Sequence, residues 1–209
     1  MLEIKSFTFG PFQTNTYVVS DEQGNILLID PACFGQREQQ QLQSYIESLL
    51  LGRAGVGLSI MATHGHLDHL WGAPWATEQF GVPVLIPEAD IPMVEHMQQQ
   101  YDLFGVPMTA QPFPMKAITE ETNSLPFREG LGVGFDIIPT PGHTLGSVCL
   151  YDEKESLLFS GDTLFRDGYG RTDLPGGNME QLIQSLKTLW QLPSGTKVYP
   201  GHGDTTLIG

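Results

Sequence analysis

The chain has 209 residues, with 24 Asp or Glu against 10 Lys or Arg and a formal charge of −14. That balance excludes a nucleic-acid partner, because neutralising phosphates needs a basic face. The 40% hydrophobic content, rich in Gly and Pro, fits one turn-rich globular domain over residues 1–209, and no apolar run is long enough to span a membrane. Met1-Leu2-Glu3-Ile4-Lys5-Ser6 does not lead a basic segment into an apolar one, so a cytoplasmic protein is expected.

In chain order, Leu2 to Phe9 alternates as a half-buried strand would, and Gly10-Pro11 ends it. Thr16–Val19 and Ile26–Ile29 read as a hairpin around the turn residues 20–25, ended by Asp30-Pro31. Gln36–Leu51 has helical apolar spacing at Leu42, Ile46, Leu49 and Leu50, with Gly52 as its stop. Val56–Met61 is a buried strand. A helix over Leu70–Phe80 stops at Gly81, and Val82–Ile86 is a short strand. Residues 87–128 differ in kind, with six Pro, four Met and the run Gln98-Gln99-Gln100. One helix over Ala89–Phe104 is expected there, then a long excursion that reads as a lid, a subunit contact in a homodimer, or a surface insertion. Val133–Ile138 is a strand, and Ser147–Tyr151 with Ser156–Ser160 forms a second hairpin. Asn178 caps a helix over Met179–Leu192, and Lys197–Tyr199 is the last strand. Strand meanders followed by helices in both halves predict an α/β fold of two sheets packed face to face with helices outside, a four-layer αββα sandwich. Cys33 and Cys149 sit far apart beside apolar runs and read as buried thiols rather than a disulfide, although the loop position of Cys33 is also compatible with exposure.

The chemistry concentrates in Thr63-His64-Gly65-His66-Leu67-Asp68-His69, which follows a strand. In extended backbone His64 and His66 point the same way, and Asp68 and His69 approach from a following helix. Neutral imidazoles and carboxylates are ligands of Zn and Fe. Five of the six histidines fall in loops after strands, namely His64, His66, His69, His143 and His202, and His96 reads as an ordinary surface residue. Pro-Gly precedes both His143 and His202, a backbone that turns sharply, and Asp162 follows Gly161 in a similar position. If these strand ends converge on one edge, seven donors exceed what one four-coordinate ion needs, and they suit two cations bridged by a carboxylate and a hydroxide.

Thr63-His64-Gly65-His66-Leu67-Asp68-His69, then Pro141-Gly142-His143-Thr144, Ser160-Gly161-Asp162-Thr163-Leu164-Phe165 and Pro200-Gly201-His202-Gly203 resemble the metallo-beta-lactamase superfamily. With Gly170-Arg171-Thr172-Asp173-Leu174-Pro175-Gly176-Gly177, the chain looks most like the short glyoxalase II-like hydrolases, over nearly its whole length. The resemblance implies a first metal at His64, His66 and His143, a second at Asp68, His69 and His202, and Asp162 bridging them. Zn is the first expectation for the two divalent ions, with Fe or Mn as alternatives. It implies hydrolysis of a thioester such as S-lactoylglutathione by a metal-bridging hydroxide, with Asp68 and Asp162 acting through it. Arg171 matches a basic position that touches glutathione in the family, and Tyr169 stands beside it as a second substrate contact. Asp173 stands where the long form has an aromatic residue. Arg166 and Lys116 are further candidates for a local basic pocket, while an ion pair with Asp173 is the structural alternative for Arg171.

The closest rival is an Fe(II)-dependent glutathione persulfide dioxygenase, whose ion would sit at His64, His143 and Asp162, a two-His-one-carboxylate set. A non-catalytic metal-binding protein is disfavoured by the intact donor set. A β-lactamase is disfavoured by the expected cytoplasmic location, and a nuclease by the acidic composition.

Overall fold

Short apolar runs buried on both faces can only be interior strands, and several such runs collect into two sheets. The computed structural model describes residues 1–51, 57–119 and 135–209. In chain order the strands are β1 (Glu3–Phe9), β2 (Thr14–Ser20), β3 (Ile26–Ile29), β4 (Leu58–Met61), β5 (Val84–Pro87), β6 (Met115–Ile118), β7 (Asp136–Pro139), β8 (Val148–Asp152), β9 (Leu157–Gly161), β10 (Leu164–Phe165), β11 (Gly168–Tyr169), β12 (Lys197–Pro200) and β13 (Thr206–Leu207). The helices are α1 (Gly35–Leu50), α2 (Leu67–Leu70), α3 (Ala73–Phe80), α4 (Ile91–Glu95), α5 (Met97–Leu103) and α6 (Met179–Leu189). One sheet runs β1-β2-β3-β4-β5-β6, antiparallel through β3 and parallel from there on. The other runs β13-β12-β9-β8-β7, with β9 and β12 parallel and the other pairings antiparallel.

The period-2 alternation of the strands divides the core into layers. Leu27 and Ile29 of β3, with Tyr17 and Val19 of β2, face Val148, Leu150, Leu157 and Phe159 of the second sheet. Their neighbours Ile26, Leu28 and Val18 point the other way and pack with Leu42 and Ile46 of α1 and Ala73 and Ala76 of α3. On the far face of the second sheet, Cys149, Leu158 and Val198 pack with Leu189 of α6. The order is helix, sheet, sheet, helix, the expected αββα sandwich. Slipping one strand by a residue would exchange its two faces, so burial on both sides fixes the register.

Several local expectations differ from what forms. Ala89–Phe104 is not one helix: a 3-10 turn over Glu88–Asp90 leads into α4, and the chain breaks at His96 (φ −103, ψ 29) before α5. The expected helix over Leu70–Phe80 is two pieces, α2 and α3, separated by Gly72, where an added Cβ would collide with Cys33 Sγ. The excursion 87–128 supplies β6, which extends the first sheet by pairing parallel to β5. Residues 120–128 of that excursion, Val133, Val56 and the Gly52 stop lie outside the described residues. Helix α6 ends at Leu189, three residues short of the expectation. Asn178 does cap it, accepting from Gln181 N at 3.0 Å, and Gly81 closes α3 in the left-handed region. Cys33 is buried, which pushes its thiol up to about 12 and disfavours the thiolate. Among the described residues no helix is long and apolar enough to cross a membrane.

Phe159 is the inter-sheet keystone. It is 1% exposed, its ring lies 5.1 Å from both Tyr17 and Tyr199, and Phe135 completes the contact at 5.8 Å. Replacing it with Ala removes a fully buried ring, and Phe159→Ala is expected to lower the unfolding free energy by about 3–5 kcal/mol in a urea titration.

Candidate metal centre

Strand ends from both sheets meet along one edge. The chain leaving β3 turns at Asp30 (φ 53), and its backbone N–H donates to Met61 O at 2.8 Å where β4 ends. Beyond β4, Thr63 O accepts from Val148 N of the second sheet at 3.0 Å, tying the two sheets together beside His64. Gly201 N donates to Gly161 O at 2.8 Å, so the loops carrying His202 and Asp162 are held side by side. Asn15 of β2 reaches across to Pro200 O and Gly203 O at 3.0 and 2.9 Å, and Tyr17 adds a bond to Pro200 O at 2.7 Å.

The seven residues His64, His66, Asp68, His69, His143, Asp162 and His202 converge at this edge. Their donor atoms form three overlapping groups, His64/His66/His143, His64/His69/Asp162 and Asp68/His69/His202, within each of which the atoms lie inside 4.8 Å of one another. Hydrogen bonds set which ring nitrogen faces inward. His143 Nδ1 donates to Arg171 O at 2.7 Å, His69 Nδ1 to Asp30 Oδ2 at 2.9 Å and His202 Nδ1 to Phe12 O at 3.1 Å. Thr63 Oγ1 already donates to Asp30 Oδ2 at 2.8 Å, so it accepts from His64 Nδ1 at 3.1 Å. Each of these four rings therefore turns Nε2 to the centre. His66 differs: its Nδ1 points inward, 2.8 Å from His143 Nε2, a separation at which the two nitrogens can share a proton or bind one cation. His64 Nε2, His69 Nε2 and Asp162 Oδ1 are buried with no hydrogen-bond partner. Buried polar atoms are otherwise almost always paired, so this donor set fits divalent cations of the Zn or Fe type.

The electrostatics divide in two. Burial, reinforced by neighbouring imidazoles, pushes His64 well below the usual histidine range and His66 to about 3, so both favour the neutral form that can accept a cation. On the other side, burial opposes charge but loses to contacts. Asp68 is held down at about 2 by His69, by His202 and by a 2.7 Å bond from Thr14 Oγ1. Asp162 is likewise held well below the usual carboxylate range by His69 and His202. These carboxylates, with Asp30, raise His69, and Asp162 and Asp68 raise His202 to about 10. A cation bound at those Nε2 atoms takes the place of the protons, so binding releases them.

Two residues that sequence reasoning did not single out brace the loop from outside. Asp90 is fully buried and accepts from Gly65 N at 2.8 Å, Gly146 N at 2.7 Å and Thr144 Oγ1 at 2.7 Å. It thereby joins the loop of His64 and His66 to the loop of His143. Gln100 of α5 accepts from Leu67 N at 3.0 Å and donates to Gly65 O at 3.0 Å. The sequence signal was present only as an acid before Ile91-Pro92 and as the Gln run, neither of which announces a brace. Glycine makes the close approaches: a Cβ on Gly201 would strike Asp162 Oδ1, and one on Gly170 would strike Asp162 O.

The donors open onto a chamber of about 170 Å³ walled by Phe12, His66, Asp68, Phe104, Arg171 and Leu174 among others. Arg171 reaches this wall, but Asp173 accepts from its Nε and NH2, both at 2.7 Å. Tyr169 is 52% exposed, and it lines neither this chamber nor the larger cavity beside it. Arg166 is paired with Asp167 and Asp204, and Lys116 lies on β6 away from the chamber.

The family profile of the metallo-beta-lactamase superfamily matches residues 9–202. A hydroxyacylglutathione hydrolase, GloC, of Haemophilus influenzae is 32% identical over 200 residues, covering 95% of this chain and 89% of its own. The crystal structure of BLEG-1 B3 metallo-beta-lactamase superposes with a TM-score of 0.84 at 32% identity, covering 99% of this chain and 95% of that one. TTHA1623 in a di-iron-bound form does so with a TM-score of 0.82 at 33% identity, covering 98% and 95%.

Two substitutions test this arrangement. Gly201→Ala pushes a methyl group into Asp162, and plasma emission spectrometry of the purified variant is expected to find less metal per chain than in wild type. Asp90→Asn turns an NH2 group toward a backbone donor, and it is expected to cost about 1–3 kcal/mol of unfolding free energy in denaturant titration.

Proposed function

The chain belongs to the metallo-beta-lactamase superfamily, and within it we propose a metal-dependent hydrolase of thioesters, of which S-lactoylglutathione is a representative. The observation that carries the reading is the split donor set: His64, His66 and His143 to hold one cation, Asp68, His69 and His202 to hold the other, and Asp162 between them. The relative named hydroxyacylglutathione hydrolase supports thioester cleavage as the reaction. When bound, the cations supply an activated water at neutral pH and stabilise negative charge on a carbonyl oxygen.

The chain's own residues do the rest. His143, Phe104 and Leu174 wall the chamber and set where a carbonyl group can lie. Asp68 is ionised and lines the chamber, in position to accept a proton from the incoming water. Thr14 Oγ1 fixes its orientation, donating to Oδ2 at 2.7 Å. The reaction forms a bond between the water oxygen and the carbonyl carbon and breaks the carbon–sulfur bond. Sulfur leaves as thiolate, a better leaving group than an amine or alkoxide, and takes its proton from solvent. No Ser or Cys nucleophile is needed. Cys33 and Cys149 are buried, and burial raises both thiols.

A second reading is hydrolysis of a β-lactam amide, which needs the same carbonyl chemistry. Identity of 32% to BLEG-1 B3 metallo-beta-lactamase over nearly the full chain favours it, against the expected cytoplasmic location that disfavoured it in the sequence. Zn is the first expectation for the metal, and the di-iron form of TTHA1623 brings Fe forward as the alternative.

Protein loaded separately with Zn, Mn and Fe is expected to hydrolyse S-lactoylglutathione, and a chelator should abolish the turnover. Cleavage of a β-lactam without thioester cleavage would reverse the order of the two readings. Oxygen uptake with glutathione persulfide on the Fe-loaded protein would replace both with a dioxygenase. His66→Ala should lower kcat/KM by more than the 10–100-fold typical of an outer-shell partner, together with its metal content.

A further inference from the structure

Beside the chamber lies a larger cavity of about 450 Å³, within the range of small-molecule sites. Its apolar wall is built from Met93, Leu103, Phe104, Leu145, Leu174 and Pro175. It shares His66, Phe104 and Leu174 with the chamber, so it opens on the first group of metal donors. Two of its leucines, Leu103 and Leu145, are 60% and 56% exposed, a large apolar surface that a ligand would remove from water.

Three polar side chains of this annex are already engaged, leaving the uncharged amide of Gln99 and His96 Nε2. Asp90 is consumed by its three donors, Gln100 by the histidine loop, and His96 Nδ1 by Pro92 O at 2.7 Å. Among the described residues neither cavity is lined by a Lys or Arg except Arg171, which Asp173 holds. A glutathione conjugate brings carboxylates to a chain of charge −14, and these cavities offer it no free Lys or Arg. An apolar chain meets a wall that suits it.

Building on the thioester reading, we propose that the annex takes the acyl chain of the substrate, and that the preferred substrates are thioesters of medium-length unbranched acyl groups on a thiol without anionic groups near the sulfur. The direction follows from charge. Negative charge develops on the departing sulfur, and an apolar annex disfavours it. The sulfur therefore leaves into the polar chamber on the side of Arg171, and the acyl chain lies over His66 between Met93 and Leu174.

The test uses acetyl, butanoyl, hexanoyl and octanoyl thioesters of N-acetylcysteamine with the metal-loaded full chain, S-lactoylglutathione being the comparator. The expected kcat/KM rises by up to about fourfold per added methylene and exceeds that of S-lactoylglutathione at the octanoyl ester. Met93→Trp fills the annex and Leu145→Glu, at an exposed position, puts a charge in it; each should cut the octanoyl-to-acetyl ratio at least tenfold. A binding readout stands apart from turnover: titration calorimetry with the ketone in which CH2 replaces the octanoyl thioester sulfur, against wild type and both variants. Turnover independent of chain length, or faster with S-lactoylglutathione, overturns the inference and leaves the thioesterase reading standing. Ketone binding that both variants weaken, with no thioester cleaved, supports the annex and sinks the thioesterase reading. Neither binding nor turnover overturns both.

Discussion

Two buried carboxylates, Asp30 and Asp90, hold the loop of His64, His66 and His69 in shape, and the rest of the site depends on that. A carboxylate taken out of water is costly unless fixed donors replace its hydration. Asp30 receives Thr63 N at 2.7 Å, Thr63 Oγ1 at 2.8 Å and His69 Nδ1 at 2.9 Å. Asp90 receives two backbone N–H groups and the Thr144 hydroxyl. The first locks the loop to the first sheet, and the second locks it to the loop after β7. Between these clamps the five imidazoles have little freedom to turn away, because the nitrogen that faces outward is already bonded in four of them. Donor geometry is thus set by hydrogen bonds that lie one residue beyond the donors.

Much of this could be read from the sequence, for reasons that differ by residue. The αββα layers follow from apolar runs such as Ile26–Ile29, which are buried on both faces and admit one packing solution. The donors were legible because His and Asp clustered in loops at strand ends have few other uses. Asp90 and Gln100 were not, because an acid before a Pro and a polar run carry no signature of their partners, which lie 25 to 56 residues away for Asp90 and 35 for Gln100 at Gly65. The edge strand β6 was hidden in the same way. Lys116 and the flanking prolines argue against a strand, and only pairing with β5 makes one. The break at His96 also escaped periodicity, since the apolar face continues from Val94 to Met97 across it.

The charge of the whole chain acquires a local meaning at His69. Three carboxylates converge on this one ring: Asp30 at Nδ1 (2.9 Å), and Asp162 and Asp68 at Nε2 (3.3 and 3.6 Å). One imidazolium cannot balance three anions, and His202 offsets only part of the remainder. Divalent cations are the species that would balance such a set, and their binding would then contribute to the stability of the native state as well as to the chemistry.

Segment 87–104 is where this constraint meets selectivity. Its inward side, through Asp90 and Gln100, fixes the donors that the chemistry requires. Its outward side, through Met93, Leu103 and Phe104, forms the annex wall. Substitutions at Met93 or Leu103 would reshape the annex without removing a brace, whereas substitutions at Asp90 or Gln100, which line the annex too, would disturb both. On the proposed reading, a strand-end chamber joined to a wall built from a helical insertion would separate the bond-breaking machinery from the choice of substrate.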